Sequence, residues 1–173
     1  LLVDSFIPIF NEYYQTICRS TEQVGLGYIS QLADRNLAES LAVNRERDRI
    51  LGYNSNGVHK DELEMTLNEQ LIRRVGSQGQ NKTYLIALKL AQFAFLTRKG
   101  QTTPILLLDD IFDKLDAARV AEIIKLVSGD SFGQIFITDT NRKYLDEILQ
   151  AMNHDYALFR VEQGEVQPME DQL

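Results

Sequence analysis

The chain reads SQGQNKTYLIALKLAQFAFLTRKGQTTPILLLDDIFDKLD at residues 77–116, and the class of fold follows from this segment. Residues 82–98 predict a helix that is apolar nearly all round, which is typical of a helix buried in a larger assembly. The run PILLLDD, residues 104–110, predicts a strand of a parallel sheet covered on both faces. The segment therefore buries much hydrocarbon and then places two carboxylates, Asp109 and Asp110, at its end.

The residues after this segment continue the alternation of strands and helices. Asp116 is placed to cap a helix that runs through Val127. QIFIT, residues 134–138, predicts a second buried strand; NRKYLDEILQAM, residues 141–152, predicts a helix, and YALFRVEQGEVQP, residues 156–168, a closing hairpin. Because strand–helix–strand–helix order is the signature of parallel packing, we predict an α/β fold.

The residues before this segment predict helices and a hairpin. Residues 1–20 carry one apolar helical stripe, in which Pro8 should kink the helix or mark a late start. Residues 24–28 alternate as a strand, and residues 34–51 predict a helix with a charged, solvated face. ELEMTL, NEQ and LIRR, residues 62–74, predict two strands joined by a turn.

Composition sets limits on the class of protein. The 173 residues are 44% apolar and 25% charged, as in an ordinary globular protein. The net charge of −7 gives no overall basic surface for nucleic acid, although a local basic stripe is compatible with it. The single cysteine, Cys18, predicts a buried small apolar side chain in a reducing cytoplasm. No apolar run is long enough for a bilayer, and the absence of an initial Met suggests a fragment.

Asp109 and Asp110 are the first candidates for chemistry. Ligands of parallel α/β sheets bind beyond the carboxyl ends of the strands, where these two residues are expected. A carboxylate there is suited to hold Mg²⁺, and an adjacent one to orient or deprotonate a water molecule. The alternative is a turn in which Asp109 caps a helix and Asp110 is solvated.

Ser77, Gln78, Gly79 and Gln80 are the second group of candidates. They open the long helix, and free N–H groups at a helix N-terminus form an anion site that glycine makes easier to approach. Ser77 and Gln80 can add side-chain hydrogen bonds to phosphate oxygens. The turn alone is a weak signal. The order of features is far more specific: this turn comes first, followed by a buried helix, four apolar residues before Asp109 and Asp110, and then Leu-Asp at 115–116.

This order resembles the ATP-binding cassette ATPases, which carry a signature motif, a Walker B strand with a following acid, and a D-loop. The signature here is GSQGQ, residues 76–80, instead of the familiar Leu-Ser-Gly-Gly-Gln, and the second Walker B acid is Asp instead of Glu. The chain is most similar to the RecF family of bacterial recombination and repair ATPases, in the SMC-like branch. NGVHKDELEM at 56–65 and FRVEQGEV at 159–166 also look like that family.

The resemblance implies a partial P-loop NTPase core with a helical and hairpin subdomain. Residues 1–75 would form that subdomain, and residues 76–173 the C-terminal part of the core with signature, Walker B and D-loop. In the complete protein, Asp109 would hold Mg²⁺ through water, and Asp110 would polarise the attacking water in a slow ATPase. The signature residues would contact ATP held by a second subunit; they are Ser77, Gln78, Gly79 and Gln80. Asp116 would bridge subunits, act as a plain helix cap, or do both.

The resemblance also implies partners and a location. The complete protein would form an ATP-dependent homodimer in the cytoplasm, without a membrane, and would clamp gapped duplex DNA or a single-strand/duplex junction. Its partner in the family is RecR. His59 and Lys60 are candidates for a DNA or interdomain contact, although His59 is more simply explained as a hydrogen-bonded loop residue. Neither His59 nor His154, which we expect in a surface loop, has the neighbours of a zinc site.

The chain departs from the cassette pattern at two places. No Gly-x-x-x-x-Gly-Lys-Ser/Thr loop occurs in the 173 residues, so the cradle for the β and γ phosphates is absent from this sequence. Many cassette ATPases have Thr-His after the next strand, whereas this chain has Thr138 and Asp139. That position is a candidate phosphate sensor, but the replacement of His by Asp puts the role in doubt.

Two other classes of function remain open on the sequence. The first is a non-enzymatic α/β protein-interaction module with a degenerate cassette motif. The second is a metal-dependent phosphohydrolase built on Asp109 and Asp110, which would need further carboxylates converging on the metals.

The missing phosphate loop generates a direct prediction. We expect the isolated 173-residue chain neither to bind ATP tightly nor to hydrolyse it, because helix N-termini alone do not enclose a triphosphate. Isothermal titration calorimetry of the purified chain with ATP and Mg²⁺ provides the measurement. Binding in the micromolar range would contradict the prediction.

Overall fold

The structure is a computed structural model that describes residues 2–100, 102–129, 131–140, 146 and 156–169. The chain divides into two compact units, residues 1–100 and 101–173. This geometric division falls after Gly100, whereas the functional division after residue 75 stays a prediction. The predicted helix at 141–152 and His154 lie outside the described residues, apart from residue 146, which is helical.

The first unit contains the helices and the hairpin that the sequence predicts before residue 100. Its elements are α1 (Leu2–Cys18), β1 (Val24–Ile29), α2 (Leu37–Leu51), a 3₁₀ turn (Val58–Lys60), β2 (Glu62–Leu67), β3 (Gln70–Leu71), α3 (Ile72–Val75) and α4 (Gln78–Lys99). Helix α1 begins before Pro8, so the late start is wrong. The return strand of the hairpin ends at Leu71, and the rest of the predicted strand is helix α3.

An aromatic cluster joins α1 to α4. The ring centroids of Phe10 and Tyr84 lie 4.7 Å apart at 88°, an edge-to-face arrangement, and Tyr14 meets Tyr84 at 6.3 Å. The Tyr84 hydroxyl donates to the Gly25 carbonyl oxygen at 2.7 Å, so this side chain also ties α4 to β1. Burial raises the pKa of both the Tyr14 and Tyr84 hydroxyls well above the ordinary value.

Strand β1 is held between a side chain of α1 and strand β2. The Asn11 amide pairs with both backbone groups of Val24, at 2.9 Å for each bond, as a neighbouring strand would. On the other edge β1 runs antiparallel to β2, with Val24 opposite Leu67. At Gly25 a Cβ atom would lie 2.5 Å from the Thr66 hydroxyl oxygen, so any larger residue there would force the Thr66 side chain to move.

The second unit contains a parallel pair of strands and a separate hairpin. Its elements are β4 (Leu106–Asp109), α5 (Ala117–Val127), β5 (Ile135–Thr138), β6 (Leu158–Glu162) and β7 (Glu165–Met169). Strands β4 and β5 are parallel, and β6 and β7 form the predicted antiparallel hairpin. The predicted strands and the capped helix are therefore confirmed.

Strand β4 and helix α4 are each buried on one face only, whereas the sequence predicts that both are covered on all sides. Strand β4 buries Leu106 and Leu108 but exposes Leu107, which stands beside the exposed Phe136 of β5. Helix α4 likewise leaves Leu85 and Leu96 about half exposed. The expectation that these elements are covered all round is therefore not met within this chain. Among the described residues, no helix combines the length and apolarity that crossing a bilayer requires.

The hydrogen bond from Tyr84 can be tested by deleting one oxygen atom. We expect Tyr84→Phe to lower the free energy of unfolding by about 1 kcal/mol, because the partly buried carbonyl of Gly25 loses the hydroxyl hydrogen bond while the ring packing remains. The same substitution at the exposed Tyr53 is the control and should have almost no effect. Urea titrations of the two variants, followed by circular dichroism, give the comparison; equal stabilities would contradict the role assigned to the bond.

Candidate functional site

The carboxyl ends of β4 and β5 bring the candidate Walker B acids next to the candidate sensor residues. The parallel register sets Asp109 beside Thr138. The Thr138 hydroxyl donates to Oδ1 of Asp109, and the Asp109 side chain is otherwise exposed. One carboxylate oxygen is therefore oriented by the neighbouring strand, and Oδ2 is not used by this bond.

Asp110 turns the chain out of the sheet. Its φ of 46° lies in the left-handed region, which aspartate tolerates better than most residues because its short polar side chain bonds locally. Its N–H group donates to the Thr138 carbonyl oxygen at 2.9 Å and is 3.2 Å from the Thr138 hydroxyl oxygen. The backbone of Asp110 is thus bound to β5, and its side chain is exposed at the end of the sheet.

The loop from Asp110 to Leu115 is anchored by apolar side chains and by Asp139. Ile111 and Phe112 are only 3% and 2% exposed. The Phe112 N–H group donates to Oδ2 of Asp139 at 3.3 Å. Lys114 gives the loop a second left-handed residue, with a φ of 62°.

Asp116 caps α5, as the sequence predicts. Its Oδ1 accepts the Arg119 N–H group at 3.0 Å, and its Oδ2 lies 3.3 Å from the Arg119 Nε atom. The carboxylate nevertheless remains exposed. A cap of this kind is compatible with a contact to a second subunit, and the D-loop role stays a prediction.

The residues present fit a magnesium ion held jointly with phosphate. In the part of the chain that the structure describes, no three His, Cys, Asp or Glu side chains are grouped to hold a metal. Mg²⁺ is usually bound by one or two carboxylates, and water and phosphate oxygens complete its coordination shell. The exposed Asp109 can supply such a carboxylate. A two-metal phosphohydrolase needs several converging carboxylates, so that alternative finds no support in the described residues.

The signature-like turn at the start of α4 is a complete capping box. The Gln80 N–H group donates to the Ser77 hydroxyl oxygen at 3.2 Å, and the Ser77 N–H group donates to Oε1 of Gln80 at 2.9 Å. Both residues therefore stabilise the helix start whether or not a ligand binds. At Gly76 a Cβ atom would lie 2.8 Å from the Ile72 carbonyl oxygen, which explains the glycine before the turn.

The Gln80 side chain is engaged at both of its ends. Its Nε2 atom donates to Oε1 of Glu22 at 2.7 Å, and Oε2 of the same carboxylate accepts from Tyr14 and Ser20. Gln80 is thus a bridge between α4 and the turn before β1. The donors left to face a phosphate are the Ser77 hydroxyl hydrogen and the first N–H groups of the helix, at Gln78 and Gly79.

The loop with His59 and Lys60 is ordered by its own contacts. The His59 Nε2 atom is 2.9 Å from the Asn54 carbonyl oxygen, and the Lys60 Nζ atom lies 5.2 Å from the Tyr53 ring centroid. Gly57 has a φ of 141°, and a Cβ atom there would be 3.0 Å from the His59 ring. The structure therefore supports the hydrogen-bonded loop interpretation of His59, and a DNA or interdomain contact stays a prediction.

Sequence reasoning misses one residue that supports these sites and assigns a different role to another. Glu22 was not singled out, and nothing in its local pattern indicates that Gln80 reaches it across 58 positions. Asp139 is a candidate sensor on the sequence, whereas in the structure its Oδ2 atom accepts the Phe112 N–H group. The parallel order of β4 and β5 is the one signal that could have placed residue 139 near the loop.

Curated relatives cover nearly the whole chain. The DNA replication and repair protein RecF of Parabacteroides distasonis is 81% identical over 170 residues, or 98% of this chain and 47% of that protein. The protein of the same name in Bacteroides thetaiotaomicron is 60% identical over 96% of this chain and 45% of that protein. The chain thus spans about half the length of the curated relatives it matches.

Solved structures of low sequence identity share the fold. The recombination mediator protein RecF-ATPrS in the RecFOR pathway matches with a TM-score of 0.70 at 20% identity, over 98% of this chain and 45% of that one. The Smc head bound to the C-winged helix domain of ScpA matches with a TM-score of 0.59 at 15% identity, over 96% of this chain and 42% of that one. No family model matches. The predicted partial cassette-type ATPase fold is confirmed by these likenesses.

Proposed function

The chain belongs to the RecF family, and from this premise we propose that the complete protein is a DNA replication and repair protein that binds DNA in an ATP-dependent manner. The observation that carries the proposal is the arrangement at the end of β4. Asp109 is oriented by Thr138, and Asp110 follows it on a left-handed backbone bound to β5. Exposed, neighbouring carboxylates at the end of a parallel sheet suit phosphoryl chemistry better than a structural turn.

Each acid has a separate role in this proposal. Asp109 would receive Mg²⁺ through water, and the ion would neutralise charge on the phosphates. Asp110 would accept a hydrogen bond from the attacking water and orient it toward the γ-phosphorus. Because Asp is shorter than Glu, the water would be held less closely than in enzymes with Glu, and we expect slow hydrolysis.

The start of α4 would act on a nucleotide held by another subunit. This sequence has no phosphate loop, yet α4 offers the Ser77 hydroxyl hydrogen and the N–H groups of Gln78 and Gly79 to an anion. The N–H groups at a helix N-terminus carry partial positive charge, so they stabilise the negative charge of a phosphate that is already bound elsewhere. The ATP would therefore lie between the phosphate loop of one subunit and the signature turn of its partner, in an ATP-dependent homodimer.

The remaining parts of the proposal concern partners. The dimer would clamp gapped duplex DNA or a single-strand/duplex junction in the cytoplasm, act with RecR, and release DNA after hydrolysis. These 173 residues carry a net charge of −7, so DNA that touches this part of the protein would meet a local basic stripe. A non-enzymatic interaction module is the second candidate, and the capping box favours it, because Ser77 and Gln80 already have a structural role.

A cation placed at residue 77 separates these two candidates. We expect Ser77→Arg in the complete protein to leave ATP binding to the monomer intact and to abolish ATP-dependent dimerisation and stable DNA binding. The arginine side chain would fill the space for the γ-phosphate and obstruct the facing subunit, whereas the phosphate loop is untouched. Light scattering with ATP and Mg²⁺ measures the dimer.

The control for this variant is Asn36→Arg, which removes the exposed N-cap of α2 and adds the same cation. It should dimerise like the parent, because α2 is outside the signature turn. If Ser77→Arg also dimerises like the parent, Ser77 is merely a helix cap and the module is favoured.

The role of Asp110 can be isolated with little change of backbone. We expect Asp110→Asn in the complete protein to retain ATP-driven dimerisation but to lose phosphate release, because asparagine tolerates the left-handed backbone but is a poorer acceptor for water. Asp113→Asn, an exposed position in the same loop, is the control. Phosphate release at the parent rate by Asp110→Asn would contradict the assignment.

A further inference from the structure

Asp139 occupies the place of the phosphate sensor but has the chemistry of a loop anchor. It directly follows β5, is partly buried, and its Oδ2 atom accepts the Phe112 N–H group at 3.3 Å across 27 positions. A sensor must donate a hydrogen bond to phosphate oxygens, which accept but do not donate. A carboxylate also accepts only, and its negative charge opposes phosphate. Asp139 is therefore matched to a backbone N–H group and mismatched to a nucleotide.

The loop that Asp139 meets needs external support. Asp110 and Lys114 both have left-handed backbones, with φ of 46° and 62°. Such conformations persist in residues other than glycine where surrounding contacts over-determine them. The contacts that reach the loop from the sheet and the core include the Asp110 N–H bond to Thr138, the buried side chains of Ile111 and Phe112, and the bond from Phe112 to Asp139.

The two bonds to β5 act on alternate residues of the loop. Thr138 accepts the Asp110 N–H group, and Asp139 accepts the Phe112 N–H group. The end of β5 therefore continues to bind the chain for three residues after β4 ends at Asp109. The Asp139 side chain takes the place of a backbone carbonyl at the second of these bonds. Its removal would break the bond from the Phe112 N–H group to residue 139, while the Phe112 side chain stays buried and the Asp110 bond to the Thr138 carbonyl remains.

We propose that Asp139 is a positioning residue that holds the loop 110–115 against the end of β5 and thereby fixes where the Asp110 carboxylate is presented. It acts through a hydrogen bond that it accepts, and its charge is not required. The consequence for hydrolysis rests on the proposed function. The consequence for the loop requires no nucleotide, so it can be measured in the nucleotide-free protein.

Amide hydrogen exchange in the complete protein without nucleotide tests the loop directly. We expect Asp139→Ala to speed exchange of the Phe112 amide by about tenfold, which corresponds to roughly 1.4 kcal/mol. Asp139→Asn should stay close to the parent, because its Oδ1 atom can still accept the bond. Asp113→Ala is the matched control, since it removes an exposed carboxylate next to Phe112 that pairs with Lys114 and should change nothing.

The α5 amides, read in the same spectra, distinguish anchoring from general destabilisation. Faster exchange confined to residues 110–115 supports the proposal. An unchanged Phe112 amide in Asp139→Ala, faster exchange throughout α5, or an Asn variant as fast as the Ala variant would each overturn it.

Phosphate release by the complete protein tests the consequence for hydrolysis. We expect Asp139→Ala to lower kcat by about tenfold or more with little change in the KM for ATP, and Asp139→Asn to rescue most of the loss. If Asn is as inactive as Ala, the charge is required and the positioning role falls. A parent protein without ATPase activity would instead contradict the proposed function and leave the exchange result standing.

Discussion

The parallel pairing of β4 with β5 is the constraint on which the chemistry of the second unit depends. It is maintained by burial, because Leu106 and Leu108 lie on the covered face of β4, and a slip of one residue would turn them to solvent. The same register sets Asp109 beside Thr138. Hydrophobic packing inside the sheet therefore determines which polar side chains meet at its edge.

The first unit has a comparable constraint in the carboxylate of Glu22. It accepts bonds from Tyr14 on α1, Ser20 in the following turn and Gln80 on α4. A carboxylate in a partly buried position is stable where its lone pairs are used in this way. This single group links the start of α4 to α1, beside the aromatic cluster that packs the same two helices. The orientation of the signature-like turn thus depends on a residue outside the motif.

Three aspartates at one end of the sheet show how environment separates chemically identical side chains. Asp109 accepts a hydroxyl hydrogen and remains exposed, and Asp110 has its backbone bound and its side chain exposed. Asp139 is partly buried and accepts a backbone N–H group. Asp109 and Asp110 are exposed and can therefore meet a ligand, whereas the Asp139 carboxylate binds a backbone group of the same chain. The spacing of acids in a motif does not show which aspartate faces solvent and which binds the backbone. That difference depends on which backbone N–H groups of the folded chain lie near each carboxylate.

The sequence by itself determined the class of fold, the strands at both ends of α5, the helix cap at Asp116, the opening of the long helix by residues 77–80, and the order of motifs that resembles the cassette ATPases. These features depend on apolar periodicity and on contacts within about four residues, which local chemistry specifies. The tertiary structure decided that Ile72–Val75 is helix instead of strand, that Leu107 and Leu85 are exposed, and that Gln80 binds Glu22. It also decided that Asp139 accepts from Phe112. These outcomes join residues as many as 58 positions apart, and they follow from strand register and helix packing, which no short window of sequence contains.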